Sequence, residues 1–544
     1  MRLPLTLGLL LAIGPVAVAA AETPASDATN EAKPQFDVLD FQIEGNSVLD
    51  DESLEKAVYP FMGPNKTVDD VEQARQALEE AYRNAGYPTV VVAIPEQDVQ
   101  GGAVRLEVVE GTIETLHITG SRYYALGKIR EGVPALAAGQ VPHMPAVQAQ
   151  MNTLAQQSSD RNVTPIFRAG STPGKMEVEL RVKDELPLHG SVEMNTRNSQ
   201  NTTLTRLIGS LRYDNLWQKF HSASLQYQVS PENSDEVDVW SGTYVMPTGW
   251  SDTKLAFYGI GISSNTQSDL GNSGTVATSV GGMSVVGAGS IYGARLVKPL
   301  PSSDTFLHSA SVGFDYKSFD NQYTLFGASQ GSQISYASFM AGYDASWHSE
   351  NFVTALNIAA HMSFRGLGNS ETEFASQQRA DDKGNKATPN FAYLTADIKH
   401  QQILPWDFRL HARAQGQASS AMLISNEQFS AGGPVSVRGY HQTEQLGDHG
   451  ANLSLELYSP KLAPDDWDSV QNLRILAFAD WAALWTANQA PTPEYYELAS
   501  VGMGLRMQLL KRLSGEFDWG YPLYKQNSID AGQQRVDFRL AYEF

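Results

Sequence analysis

From Leu186 to Phe544 the chain repeats one pattern: segments of about ten residues in which apolar and polar side chains alternate, separated by turn residues. About sixteen such segments follow one another, from 188–198 to 534–544, and helical periodicity is missing throughout. A period of two places one apolar and one polar face on every strand. After the first 21 residues no run of eighteen apolar residues occurs, so a spanning helix is not available. A membrane-crossing chain of this kind must close its strands into a barrel, because lipid offers no partner to an open sheet edge.

The last segment is the clearest. Val536, Phe538, Leu540, Tyr542 and Phe544 form an apolar stripe, with Asp537, Arg539 and Glu543 on the opposite face. Against lipid the charges must point into the lumen, since a midplane Arg on the outside costs roughly 2–4 kcal/mol. Phe517, Trp519 and Tyr521 form a second such stripe. Links after even-numbered segments are short, as at 215–217, 349–351 and 404–407; several after odd-numbered ones are long, as at 265–286, 319–333, 366–389 and 422–450. Short periplasmic turns and long external loops place the start of the first strand in the periplasm. The link 460–471 is a long exception.

The N-terminus agrees with that compartment. Arg2 precedes an apolar run, Leu3 to Val18, that ends in small residues, the mark of a secretory signal peptide over 1–21 cut after Ala19 or Ala21. Residues 22–35 are polar and read as a flexible arm. There is no cysteine, which excludes thiol catalysis, zinc–cysteine sites and disulfides. With 39 basic against 60 acidic residues, a net charge of -21, general nucleic-acid binding is disfavoured.

Residues 36–185 differ in texture. Phe41-Gln42-Ile43-Glu44-Gly45-Asn46 is an alternating strand ending in a Gly turn, and Leu116-His117-Ile118-Thr119-Gly120-Ser121 repeats it 75 residues later. Two copies of one small domain are expected, 36–112 and 113–185. In the first, Thr67 caps a helix over Val68–Asn84 whose Val71, Ala74, Leu78, Ala81 and Tyr82 share a face, giving the order β-α-α-β-β. The whole is α+β periplasmic domains followed by an all-β transmembrane barrel over 186–544.

The link 422–450 is not generic. Val437-Arg438-Gly439-Tyr440 follows a Gly-Gly-Pro bend, placing one fixed cation beside a residue able to turn tightly. On the thirteenth strand, Phe478 and Asp480 share a face opposite Ala479 and Trp481. An Arg438–Asp480 pair would hold the loop inside the barrel, and breaking one that is buried costs roughly 3–5 kcal/mol.

Val437-Arg438-Gly439-Tyr440 resembles the VRGY/F motif of the plug-like sixth loop of BamA-like outer-membrane barrels, and Phe478-Ala479-Asp480 the start of that superfamily's F-x-D-x-G motif, with Ala482 where the pattern has Gly. The tandem domains resemble POTRA domains. Two of them with about sixteen strands are similar to the haemolysin-activator and adhesin-secretion transporters of two-partner secretion (the ShlB/FhaC/HecB type). Tyr87-Pro88, Ile94-Pro95-Glu96-Gln97, Val108-Val109-Glu110-Gly111, Glu427-Gln428-Phe429, Gly447-Asp448 and Leu453-Ser454-Leu455-Glu456-Leu457 support that subfamily. The 22–35 arm is shorter and more polar than the plug helix many members carry.

The resemblance implies an outer-membrane transporter with periplasmic POTRA domains. Its partners would be a large unfolded exoprotein with an N-terminal secretion domain, outer-membrane lipids, and, during biogenesis, the barrel-assembly machinery reading Phe538, Leu540, Tyr542 and Phe544. Val437, Arg438, Gly439, Tyr440, Phe478 and Asp480 would carry the loop lock. No catalytic set, metal or cofactor is expected: the eleven histidines are scattered, and neither HExxH nor GxSxG occurs. An insertase for other barrel proteins shares the loop and the closing strand but carries five POTRA domains. A solute porin explains the strands but not 36–185.

Overall fold

The computed structural model describes residues 35–544 except Gln100, Ser251, 264–267, 271–282, 286–287, 326–327, Asn369, 377–386, 465–466, Asp468, 488–494 and Asn527. The expected signal peptide and residues 22–34 of the arm lie outside the described residues.

In the first small domain, helix α1 (Asp51–Val58) and helix α2 (Val68–Asn84) pack on a three-stranded sheet ordered Asp40–Glu44, Ala103–Val109, Val91–Ala93. The first pair is parallel and the second antiparallel. The Asp70 carboxylate accepts the Thr67 N–H (2.8 Å) and hydroxyl (2.7 Å), which starts α2 where its orphan donors need partners. Val71, Ala74, Leu78 and Tyr82 are buried from α2 against Phe41, Val92, Val104 and Leu106. A short pair, Phe36–Val38 with Gly63–Lys66, has too few residues to leave a periodic signal in the sequence.

The second copy has strands Thr112–Thr119, Arg161–Ala169 and Lys175–Asp184, with helices α3 (Leu126–Glu131) and α4 (Met144–Gln157). Its sheet order, first–third–second, is that of the first copy. The repeat extends to one detail. Gly45 (φ +89) and Gly120 (φ +86) both turn the chain against a carbonyl, Val108 O and Val182 O, within 2.3 Å and 2.2 Å of where a Cβ would stand. Two residues past each carbonyl an acid receives the turn: Glu110 accepts the Ser47 N–H (2.6 Å), and Asp184 accepts the Arg122 and Tyr123 N–H groups (2.8 Å each). Residues 118–132, 151–164 and 180–544 form one compact unit, and the rest of the two copies another.

Among the described residues sixteen strands close the barrel. In order they are Leu188–Asn195, Arg206–Leu216, His221–Val229, Asp238–Pro247, Lys254–Ile262, Ala288–Pro299, Phe306–Leu325, Ala328–His348, Phe352–Gly368, Phe391–Ile403, Arg409–Ser419, His449–Tyr458, Val470–Trp485, Tyr495–Leu509, Leu513–Pro522 and Arg535–Glu543. Neighbours are antiparallel, and the sixteenth strand closes on the first with Arg539 opposite Asn195 and Glu543 opposite Ser191. The expected long link 319–333 is mostly strand: Asp320 pairs Gln333 and Leu325 pairs Ala328. Backbone pairing continues there beyond the stretch where alternation is legible, because a ladder needs hydrogen-bond partners and not an apolar face.

Alternation sorts side chains as a membrane barrel requires. Leu211, Leu225, Phe257, Val312, Phe314 and Leu455 are exposed on the outside. Arg295 and Asp315 meet inside the wall at 2.7 Å, both buried. At the loop-bearing end beyond the odd strands, Val239, Ile260, Ile262, Ile291, Phe319 and Ile334 face inward. They pack with Phe374 of helix α5 (Glu371–Ser376) and with Leu423 and Ile424 into one apolar cluster.

Candidate functional site: the sixth loop inside the barrel

The link 420–448, between the eleventh and twelfth strands, folds as a hairpin within the lumen. Phe429–Ala431 pairs antiparallel with Gln445–Gly447. The Gly-Gly-Pro bend is closed by Gly433 N–H to Val437 O (3.1 Å) and Gly432 N–H to the Ser436 hydroxyl (2.9 Å), so Ser436 is a turn residue.

At the tip, Arg438 is buried and meets Asp480 through both forks of its guanidinium: Nε to Oδ2 at 2.7 Å and Nη2 to Oδ1 at 2.8 Å. Its backbone N–H adds a third bond to Oδ2 (3.1 Å). Nη1 donates to Glu456 (2.5 Å) and Nη2 to the Ser454 hydroxyl (3.2 Å). The guanidinium lies 3.6 Å from the centroid of the Phe478 ring, a cation–π contact in a site largely shut from water. One cation thus answers two hydrogen-bonded carboxylates, supplied by adjacent strands twelve and thirteen whose register sets Ser454 opposite Asp480, with a third, Asp518 of the fifteenth strand, 3.8 Å away. The planar fork explains Arg here, since a Lys offers neither the bidentate geometry nor the stacking.

The neighbours of Arg438 fix the approach. Gly439 (φ +88) lies backbone to backbone on Gly520 of the fifteenth strand, where an added Cβ would stand 2.6 Å from Gly439 N. The Tyr440 hydroxyl donates to Tyr524 O (2.8 Å) and accepts the Tyr524 N–H (3.2 Å), and its ring is fully buried. Val437 packs with Ala482, Leu484, Leu498 and Ile529. Ala482, where the superfamily pattern has Gly, is fully buried in that cluster, so its methyl is part of the packing.

The root of the loop has a second anchor that sequence reasoning missed. Glu427 is buried and accepts from Lys317 Nζ (2.6 Å), the Tyr393 hydroxyl (2.5 Å) and the Tyr336 hydroxyl. These partners come from the seventh, tenth and eighth strands, far from Glu427 in sequence and in no motif with it. Asp448 closes the hairpin base, accepting the Leu423 N–H (3.0 Å) and the Gln428 amide (2.9 Å). The far side of the loop reaches the seam: Gln442 N–H donates to Asn198 O (3.0 Å), and Arg535 Nη1 bonds His441 Nδ1 (2.8 Å).

Of the closing-strand residues, Leu540, Tyr542 and Phe544 are exposed on the outside and Phe538 is half-buried. Phe544 and Gly190 exchange backbone hydrogen bonds (3.0 and 2.9 Å), and the Phe544 ring covers the glycine, where a Cβ would stand 2.3 Å from Cζ. On the lumenal side Arg539 spans the seam to Glu193 (2.8 Å). The hairpin is tied to the barrel wall at several points.

Residues 36–111 match the family model of the POTRA domain, ShlB-type, and residues 174–507 that of the haemolysin secretion/activation protein ShlB/FhaC/HecB. The chain is 23% identical over 485 residues to the outer membrane transporter CdiB of Dickeya dadantii, spanning 84% of this chain and 77% of that protein. It is 21% identical over 436 residues to the heme/hemopexin transporter protein HuxB of Haemophilus influenzae, spanning 78% and 71%. Among solved structures, CdiB from Escherichia coli superposes with a TM-score of 0.60 at 20% identity, covering 96% of this chain and 93% of that one. BamA from Haemophilus ducreyi lacking POTRA domains 1–3 gives 0.55 at 14% identity, covering 94% and 100%. The structural likenesses speak for the fold, and the family models, the second of which spans more than half the chain, speak for descent. The chain belongs to the ShlB/FhaC/HecB family of haemolysin secretion/activation proteins and is an outer-membrane transporter of two-partner secretion, with its POTRA domain in the periplasm.

Proposed function

We propose that the POTRA domains, 36–112 and 113–185, capture a large unfolded exoprotein by its N-terminal secretion domain, and that the barrel, 186–544, passes it outward in extended form. The observation that carries this reading is the hairpin 420–448 held across the lumen by Arg438 and Glu427. An open, water-filled porin channel is not locked by a buried ion-paired hairpin, whereas a protein conduit needs a plug that seals between substrates and moves aside for one. Val437, Arg438, Gly439, Tyr440, Phe478 and Asp480 are the lock in this scheme.

Capture by strand addition fits the first domain. Its Val91–Ala93 edge has the central Val92 N–H taken by Glu79 (3.0 Å), which leaves the Asp40–Glu44 edge as the better acceptor. Main-chain bonds to that edge tolerate many client sequences. Folding of the client outside makes return unfavourable, so the periplasm needs no nucleotide. The chain is read as a transporter and not an enzyme, and the aromatic end of the closing strand as the signal by which it is itself assembled. Deleting 36–111 and assaying surface export of a co-expressed exoprotein that bears an N-terminal secretion domain is the test: barrel insertion is expected to persist and export to stop. Undiminished export would remove the capture role.

A further inference from the structure

We propose that Asp160, His189 and Asp214 form a divalent-cation site that fastens the turn after α4 to the first barrel hairpin. Pairing of the first two strands sets His189 opposite Arg212. Asp214, two residues on and therefore on the same face, is its diagonal neighbour. Asp160 is brought to them by a backbone bond from Glu185 N–H to its carbonyl (2.9 Å). His189 Nε2 lies 3.0 Å from Asp160 Oδ2 and 3.6 Å from Asp214 Oδ2, and all three donor atoms fall within 4.8 Å of one another.

Three Lewis bases converge on one point, and the cation beside them, Arg212, meets only Asp214. A single imidazole nitrogen carries one proton and serves one carboxylate, Asp160 at 3.0 Å, while Asp214 at 3.6 Å takes its bonds from Arg212 and Ser222. A tetrahedral ion with bonds of about 2.0–2.1 Å holds its ligands about 3.3 Å apart, and the two imidazole–carboxylate separations bracket that value. One imidazole and two carboxylates suit Zn²⁺ or Co²⁺ with a water in the fourth position. The charge balance agrees. Arg212 Nε is 3.0 Å from Asp214 Oδ2, so two carboxylates, one guanidinium and a neutral imidazole leave one net negative charge for a divalent ion. Ser222 donates to Asp214 Oδ1 (2.5 Å) and orients that carboxylate.

The surroundings are stiff enough to hold such a site. Beside it the turn 215–220 carries Asn215, Trp217, Gln218 and Phe220 at positive φ, each a strained choice for a residue with a side chain. It is held there by contacts: Gln218 donates to Tyr123 O (3.0 Å) and accepts the Ala125 N–H (2.8 Å). Phe220 stacks on Tyr124, and the Arg161 guanidinium lies over both rings at 5.2 and 5.0 Å. Since the first strand is also the one that closes the barrel, occupancy would pin the periplasmic end of the seam.

The test uses full-length, tag-free protein in detergent, stripped with chelator and titrated with Co²⁺, then displaced with Zn²⁺. The wild type is expected to show one saturable equivalent with visible ligand-field bands and a Zn²⁺-dependent rise in its thermal midpoint. H189Q, D160N and D214N should each weaken binding by about tenfold or more, with heat-modifiable migration of the barrel reporting that they fold. Absence of saturable binding in the wild type, or wild-type affinity in all three variants, would overturn the proposal. So would stabilisation that follows pH alone and not metal, which would assign the cluster to a protonated His189 between two carboxylates.

Discussion

At the scale of single residues the molecule turns on where charge is buried. Removing the Arg438 guanidinium leaves the buried Asp480 without its ion-pair partner, a loss of roughly 3–5 kcal/mol for a buried pair. Arg438→Ala should therefore cripple secretion while the barrel still inserts, as followed by surface detection of the exoprotein and heat-modifiable migration. Arg438→Lys should recover little of it, because the second fork and the Phe478 stack are lost. The exchange Arg438→Asp with Asp480→Arg should outperform either single change; equal defects in all three would detach the pair from transport. Both residues were legible in the sequence because each stands in a patterned stretch, Val437-Arg438-Gly439-Tyr440 and Phe478-Ala479-Asp480. Glu427 was visible only as a flank. Its partners Lys317, Tyr336 and Tyr393 are brought together by barrel closure, and no local spacing encodes that.

At the scale of elements, close approach and turn chemistry decide. Gly520→Ala places a methyl 2.6 Å from Gly439 N, so the hairpin tip must lift from the fifteenth strand. Export should fall as with Arg438→Ala, and protease added from outside should nick 430–445 faster than in the wild type. In the second small domain, burial pushes the Asp184 carboxyl up, but the N–H groups of Tyr123 and Arg122 and the Ser121 hydroxyl outweigh that and hold it below its ordinary range. A depressed carboxylate contributes stability above its unfolded pKa of about 3.9, and that contribution is lost as pH falls through the lower folded value. The turn 121–124 should open in acid below about pH 4, and Asp184→Asn should flatten that dependence, read by amide exchange at Arg122 and Tyr123. Strands and α2 were readable from period and capping. The Phe306–Leu325 and Ala328–His348 hairpin outran its own alternation, and the Phe36–Val38 pair had none to show.

At the scale of the whole molecule the sequence carried the architecture, since a signal-like N-terminus, a 75-residue repeat and alternating segments each constrain the fold independently. What it left out is how the lumen is filled, because that depends on side chains from many strands meeting across a closed sheet. The seam offers a test of route. The chain has no cysteine, so Ser191→Cys with Glu543→Cys, facing partners across the first and sixteenth strands, introduces a single disulfide. Export should survive oxidation if the client uses the lumen; a block reversed by reductant would move the route to the seam. The apolar cluster around Ile260, Ile334 and Phe374 has a consequence for the cell rather than for the client. A packed apolar cluster of that kind sheds water and resists ion passage through the part of the lumen it fills. A bacterium can then carry many copies without surrendering its permeability barrier, and Ile260→Ser with Ile334→Ser should sensitise it to bulky hydrophilic antibiotics while secretion continues. Natural selection on these isoleucines would act through survival in a hostile medium, even where the exported protein is dispensable.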